Sequence, residues 1–279
     1  MKTSHVLLIS FLISIILLFI IPKGFLPQDI SQTILTVTTF LFGILAGFYI
    51  LVTYSEYDTL KKSIGNELSG WHSLFEGVKR YRPEELNTFS DLLDSYVIRS
   101  FDPELIEYSR ATQSEFEKIE KFISNMPLNK DLESVLEVEI LTPLNVIREA
   151  RDQLFVLGAK SLSGFQWLIL YSLAAIFIVS LYNLRSDNLF FDTVVVLLSV
   201  SVALIFLLVR GLDDYTWNEK NFGISSFENL LLIIGKLPYY PKTLITSGRV
   251  RPIEKEYRVG VSYNSETGQR KIEIVKNNK

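Results

Sequence analysis

A group of hydroxyl and glycine residues inside one apolar stretch is the first feature that could do chemistry. Its members are Thr36, Thr39, Gly43 and Gly47. At about 100° per residue they fall within about 80° on one helical face. One interpretation is close helix packing, because glycines four residues apart let backbones approach and threonine hydroxyls bond back to their own helix. The other is an aqueous pathway, where hydroxyls and exposed backbone replace the hydration shell of an ion. The four residues are therefore candidate pore-lining positions.

Two charged residues bracket a later apolar stretch. Asp192 and Arg210 share a helical face with Ser199 and Ala203. They lie about 27 Å apart along a helix, so they cannot pair within one subunit. An arginine at the end of a span is typical of a snorkelling anchor, and the alternative is a basic ring that attracts anions to a pore mouth. We therefore treat Asp192 and Arg210 as candidate pore-mouth residues.

The sequence lacks the usual patterns of catalytic residues. The chain has no cysteine, and its two histidines, His5 and His72, lie on different predicted elements. Thiol chemistry and a local pair of histidine metal ligands are therefore excluded. The glycine-rich phosphate loops, the GxSxG elbow and the HExxH zinc motif do not occur. We predict that the protein is not an enzyme and has no cofactor.

The segregation of charge places these residues in a membrane. A formal net charge of −3 gives no reason to expect a nucleic-acid partner. Lys, Arg, Asp and Glu are absent from four windows, which are 3–22, 30–55, 161–184 and 193–209. Each window can cross a hydrocarbon core of about 30 Å, the fourth with Phe190 to Asp192 included. The sequence predicts four transmembrane helices in the lipid bilayer and excludes a single soluble enzyme domain.

The basic residues near the spans predict the orientation. With four crossings, both termini and residues 56–160 share one side, and two short turns lie on the other. Eight Lys or Arg residues near the spans lie on the first side, against Lys23 and Arg185 in the turns. By the positive-inside rule we expect a multi-pass protein of the cell (inner) membrane, with both termini and residues 56–160 in the cytoplasm.

The segments outside the spans predict a helical part and a mixed tail. Residues 56–160 carry apolar residues at three- and four-residue spacing, which predicts a cytoplasmic helical bundle whose first helix continues out of span two. The tail predicts a short apolar helix and then a β-hairpin around the turn residues 264–268. The predicted fold is mainly α and integral to the membrane. Its domains are transmembrane helices 1 and 2 at 1–55, the helical bundle at 56–160, transmembrane helices 3 and 4 at 161–211, and the tail with a short helix and a β-hairpin at 212–279.

Several short motifs accompany this order of parts. They are Phe42 to Phe48 in span two, Asn66-Glu67 in the amphipathic segment that follows, Leu212-Asp213 directly after span four, and Gly223 to Ser225. Together with two spans, a helical segment and two further spans, they resemble the bestrophin-like four-pass membrane proteins of bacteria over residues 30–235. Asp214-Tyr215 stands where that family has a proline and an aromatic residue, and the hairpin after Pro241 is an addition.

The resemblance implies a homopentameric anion channel whose second span lines a narrow neck. The four candidate residues of span two would then face the pore. In eukaryotic bestrophins an acidic cluster after the last span helps to bind calcium, and Asp213, Asp214 and Glu219 occupy the comparable place. We expect no metal there and treat the three as weak candidates, because calcium takes six or more oxygen ligands. The expected partners are the lipid bilayer, further copies of the chain and inorganic anions.

The sequence therefore predicts an oligomeric ion channel that favours anions. The alternative is a membrane-anchored scaffold or sensory protein whose cytoplasmic bundle binds a partner. A coupled transporter is less favoured, because the interiors of the spans hold no charged residue to bind or relay a coupling ion. The two leading hypotheses differ at span two, since a channel requires a wet face and a scaffold requires a dry helix contact.

Overall fold

The computed structural model describes residues 3–101, 107–126, 137–157, 162–186, 188–214, 224–248, 250–263 and 270–276, most of which are helical. The first helices are α1 (Thr3–Ile20), α2 (Gln28–Tyr81), a 3₁₀ turn (Pro83–Glu85), α3 (Leu86–Ser100), α4 (Tyr108–Ala111) and α5 (Gln113–Ser124). A π-helical turn (Glu137–Leu141) then leads into α6 (Thr142–Leu157), α7 (Gly164–Asn183) and α8 (Leu189–Asp213). The last elements are α9 (Ser225–Ile233), β1 (Tyr239–Pro241), α10 (Lys242–Thr246), β2 (Glu256–Tyr263) and β3 (Arg270–Lys276).

The chain divides into two compact units. The apolar unit comprises Met1–Tyr57 and Lys160–Trp217, and the polar unit comprises Asp58–Ala159 and Asn218–Lys279. Among the described residues, α2, α7 and α8 contain apolar stretches long enough to cross a membrane, judged by length and composition. The described apolar stretch of α1, Leu7–Ile20, is shorter. As the sequence predicts, α2 continues out of its apolar stretch without a break.

The core of the apolar unit joins α2, α7 and α8. Its buried members are Phe42, Ala46 and Tyr49 from α2, Leu162, Leu170 and Ala174 from α7 and the turn before it, and Val202 and Val209 from α8. The rings of Phe42 and Phe177 stack with centroids 6.3 Å apart. Large side chains such as Phe19, Phe40 and Leu189 stay exposed, which is typical of helices that face lipid rather than water.

Close helix contacts build the core of the polar unit. Residues from α2, α3, α5 and α6 are fully buried there: Trp71, Leu74, Val78, Phe89, Leu93, Tyr96, Val97, Ile119 and Ile147. Two glycines of α2 permit the approach of α6 and the π-helical turn. A Cβ at Gly70 would lie 2.6 Å from Cγ1 of Ile147, and one at Gly77 would clash with the carbonyl oxygen of Glu139.

A three-stranded sheet completes the polar unit in the order β1-β2-β3. The predicted hairpin is confirmed as the antiparallel pair β2 and β3, while its turn at 264–269 lies outside the described residues. The sequence did not predict β1, which pairs with β2 in parallel. Both Nη atoms of Arg258 donate to the carboxylate of Asp94, at 2.7 and 2.6 Å. This ion pair attaches the sheet to α3.

Candidate functional site

One face of α2 in the apolar unit is uncovered by the rest of the described chain. It contains the four sequence-predicted pore residues, all of them exposed: Thr36, Thr39, Gly43 and Gly47. A Cβ built on either glycine would meet no described atom within 4 Å apart from the neighbouring backbone of α2. The hydroxyl of Thr36 donates to the Gln32 carbonyl at 2.8 Å, and that of Thr39 to the Leu35 carbonyl at 2.6 Å. The structure therefore places the four residues on one open face, which we call the small-residue face.

The same part of α2 has two other sides. Phe42, Ala46 and Tyr49 form the side that is buried against α7 and α8. A third side, which we call the lipid-like side, consists of large exposed apolar residues: Val37, Phe40, Ile44, Phe48 and Leu51. At about 100° per residue the small-residue face lies between these two sides. Lipid contact and the core of the chain already account for the other two sides. The small-residue face is thus available to water, to ions or to a second copy of the chain.

The two pore-mouth candidates lie at opposite ends of α8. Asp192 is in its first turn and Arg210 in its last. The side chain of Arg210 is 71% exposed, and its Nε donates to Oδ2 of Asp214 at 3.3 Å. Asp192 is half-buried, and its Oδ1 is buried with no hydrogen-bond partner among the described residues. Arg210 is therefore open to solvent or headgroups, whereas Asp192 faces partly into the protein.

Asp213 joins the end of α8 to the beginning of α7. Its carboxylate is buried and accepts hydrogen bonds from the backbone N–H of Leu162 at 2.9 Å and from Nε1 of Trp167 at 3.1 Å. Ser163 begins α7 with a capping box, since its hydroxyl accepts from the N–H of Gln166 and the Gln166 side chain accepts from the Ser163 N–H. The carboxylate thus fixes a helix start that the local sequence already favours.

Two of the three acidic candidates of the calcium hypothesis, Asp213 and Asp214, have defined partners in the structure. Both oxygens of Asp213 accept from N–H groups, and Asp214 pairs with Arg210. Glu219 lies outside the described residues. Within the described ranges no three of His, Cys, Asp and Glu group closely enough to hold a metal ion. Asp213 acts here as a hydrogen-bond acceptor between two helices, a role that the sequence alone did not indicate.

The sequence also did not predict a buried charged cluster in the polar unit. Glu67 of α2 is fully buried, and its Oε1 accepts from Nε1 of Trp71 at 3.2 Å and from the Tyr96 hydroxyl. Arg151 of α6 is 3% exposed and places Nη1 4.0 Å from the same oxygen. Burial and then the charge of Glu67 raise the pKa of the Tyr96 phenol well above its ordinary value of 10.0.

Both Nη atoms of Arg151 have further partners. Its Nη1 donates to the Tyr96 hydroxyl and to Thr112 Oγ1 at 2.9 Å, and its Nη2 donates to the Ser109 carbonyl at 2.7 Å. Its guanidinium lies 4.4 Å from the ring centre of Phe116, a cation–π contact. The cluster therefore joins α2, α3 and α6 with the α4–α5 region. A glutamate four residues before a tryptophan on an apolar stripe was the signal that could have indicated it.

Comparison with known proteins assigns the chain to a family. The family model of the bestrophin-like domain matches residues 6–214. The chain belongs to the bestrophin-like family. The resemblance predicted from the motifs is thereby confirmed, and the protein is a membrane protein of this family. The matched residues include the small-residue face, both ends of α8 and the Glu67–Arg151 cluster, whereas α9 and the sheet lie beyond them.

Solved structures share the bestrophin-like fold. A bacterial bestrophin homologue from Klebsiella pneumoniae, solved by Zn-SAD phasing, has 16% identity and a TM-score of 0.61, with 85% of this chain and 100% of that chain covered. A single-residue variant of that homologue has a TM-score of 0.63 at the same identity and coverage. A variant described as a membrane protein has 17% identity and a TM-score of 0.61. None of the curated proteins matches the chain. At these identities the likeness shows the fold.

Proposed function

We propose that this bestrophin-like protein is a homo-oligomeric ion channel that favours anions and is lined by α2. The observation that carries the proposal is the small-residue face, which is polar, open and distinct from both the lipid-like side and the buried side of the same helix. Copies arranged around an axis, five if the family likeness extends to assembly, would place this face on the axis. Hydroxyls and exposed backbone could there replace part of the hydration shell of an ion.

Charge favours anions over cations as the permeant species. Cation channels concentrate Asp and Glu rings along their pores, and residues 30–55 contain neither residue type. Arg210 lies exposed at the end of α8 that we assign to the cytoplasm. A ring of such residues would raise the local concentration of inorganic anions near a pore mouth, although Asp214 offsets part of its charge.

The same proposal includes four membrane crossings. Helix α1 has 18 residues, so it spans about 27 Å, close to the thickness of the hydrocarbon core. The excess of basic residues on the side of the termini supports cytoplasmic termini and a cytoplasmic polar unit in the cell inner membrane.

A membrane-anchored scaffold is the second candidate. The Gly43–Gly47 pair has the spacing of close-packed membrane helices, and its open surface fits a dry contact with another copy. In that case α2 would assemble the protein without conducting ions, and the polar unit would bind a cytoplasmic partner.

Thiol accessibility separates the two candidates cleanly, because the chain has no native cysteine. We expect Thr39→Cys and Gly43→Cys in liposomes to react with a small charged methanethiosulfonate and to lose anion flux on modification. Phe40→Cys on the lipid-like side and Ala46→Cys in the core are matched controls that should stay unreactive. Glu76→Cys reports the sidedness of the polar unit. Inert thiols at both Thr39 and Gly43, in an oligomer without flux, would reject the channel and support the scaffold.

A further inference from the structure

Two charged side chains in the apolar unit have buried polar atoms without partners. Arg185 follows α7, and its Nη2 donates to the Ile21 carbonyl at the end of α1, at 2.9 Å. Its Nε and Nη1 are buried and meet no acceptor among the described residues. Oδ1 of Asp192 is likewise buried and meets no donor there. Buried charged groups are rarely left unpaired, because their desolvation is then uncompensated.

The hydroxyl of Tyr182 contacts both α1 and α8, so it marks the same height along the two helices. This hydroxyl donates to the Ser14 carbonyl of α1 at 2.7 Å and lies 3.4 Å from the Ser199 hydroxyl of α8. All three residues are buried. Ser14 and Ser199 therefore lie at the same height on either side of one phenol, at the contact between α1 and α8.

The Arg185 guanidinium and the Asp192 carboxylate lie the same distance along the helix axes from the level of the Tyr182 hydroxyl. Ile21 is seven residues after Ser14, and Asp192 is seven residues before Ser199. Seven residues make about two helical turns and about 10.5 Å, so each step returns to the same helical face. Both steps run toward the same end of the unit. The N–H of Gly24, after α1, donates to the carbonyl of Asn183, the last residue of α7, at 3.1 Å. Because α8 begins soon after Asn183, the end of α1 and the start of α8 lie at this end. The guanidinium at Ile21 and the carboxylate of Asp192 therefore lie at one level and on facing sides.

We propose that Arg185 and Asp192 are electrostatic partners that latch the end of α1 to the start of α8. The latch adjoins the beginning of α2, whose first residues are held by the Asn183 side chain. Its Oδ1 accepts from the Leu26 N–H at 3.2 Å, and its Nδ2 donates to Ser31 Oγ at 2.6 Å. Arg185 and Asp192 thus hold the end of α1 to the start of α8, and the pairing does not depend on whether the protein conducts ions. Asp192 serves the helix contact rather than a pore mouth.

A double-mutant cycle tests the pairing. In the detergent-solubilised protein, Arg185→Gln and Asp192→Asn each leave one half-buried charge without its proposed partner, and we expect each to lower Tm by about 5 °C. The double variant removes both charges and should lose no more than the worse single variant. Lys23→Gln, in the other turn of the same side, is the matched control for an exposed charge, and we expect it to lower Tm by less than either single variant. Losses that simply add in the double variant would overturn the pairing.

A second series of more conservative variants tests the pairing if the first variants do not fold. We expect Arg185→Lys, which keeps the charge, to have a higher Tm than Arg185→Gln when Asp192 is present. The two variants should be equal in an Asp192→Asn background. Asp187, which lies outside the described residues, is the competing partner for Arg185. If the lysine advantage persists without Asp192 and disappears instead in an Asp187→Asn background, the proposed partner is wrong.

Discussion

At the residue scale, Arg151 and Glu67 place opposite charges where the polar unit excludes water. Replacing Arg151 by Gln leaves the Glu67 carboxylate buried without a cation, so we expect the free energy of unfolding to fall by about 3–5 kcal/mol. Arg148 is the matched control, because it lies on the same helix and pairs with Glu120 at 2.5 Å with its side chain 46% exposed. Arg148→Gln should cost less than about 1 kcal/mol. Unfolding of both variants in detergent measures the difference, and equal losses would contradict the assigned role of Arg151.

Tyr96 gives the same cluster a dependence on pH. Its folded-state pKa is raised by burial and by Glu67, so the folded protein keeps the phenol neutral. The unfolded chain releases this proton near the ordinary value of 10.0. Stability from this group is therefore complete below that pH and decreases as the pH rises above it. Tm measured between about pH 9 and 11 should fall, and the fall should be smaller in Tyr96→Phe than in the parent protein. An identical slope in both proteins would remove Tyr96 as a cause.

The sequence predicted the phase of the small-residue face but not the burial of the charged cluster. The phase depends only on the spacing of Thr36, Thr39, Gly43 and Gly47 along one helix. Burial of a charge depends on partners that are distant in sequence, here Tyr96 and Arg151 around Glu67. Glutamate and arginine, taken alone, are residue types that are mostly exposed to solvent.

At the scale of elements, the glycines of α2 differ in the space around them. Gly65 is exposed, and among the described residues only its own helix backbone comes within 4 Å of an added Cβ, whereas Cβ atoms at Gly70 and Gly77 would meet Ile147 and the Glu139 carbonyl. We expect Gly65→Ala to stabilise the chain by about 0.5–1 kcal/mol through helix propensity. Gly77→Ala pushes against backbone and should destabilise it by about 1–3 kcal/mol. Thermal unfolding decides the sign, and a stabilising Gly77→Ala would mean that the π-helical turn does not approach α2 this closely.

Long elements were easier to predict than short ones. The continuation of α2 from its apolar stretch into the polar unit followed from an apolar stripe kept over many turns. The hairpin followed from alternation on both sides of turn residues. Strand β1 has three residues, Tyr239–Pro241, and joins β2 in parallel across α10. So short a segment carries too little periodicity, and its partner is too far along the chain, for the pairing to be read locally.

At the scale of the whole molecule, the two units are assembled from segments that are separated in the chain. Charge-free windows identified the apolar segments because lipid and water demand different side chains. What the windows could not supply is the assignment of individual charges to helix contacts, such as Asp213 between α7 and α8. Such assignments depend on angles and distances between helices, which leave no periodic trace in the sequence.

Filling the small-residue face tests the assembly as a whole. Gly43→Trp adds a large ring where no described residue outside the α2 backbone comes within 4 Å of a Cβ, so each subunit should fold normally. Around a wet axis the ring would obstruct the lumen. We therefore expect anion flux in liposomes to fall by about tenfold or more with the oligomer mass unchanged. Ile44→Trp, on the lipid-like side, should leave both quantities unchanged. In a dry helix contact the same ring at Gly43 would separate the subunits, so a loss of oligomer mass would identify the face as a packing surface. Full flux from an intact Gly43→Trp oligomer would exclude α2 from the pore.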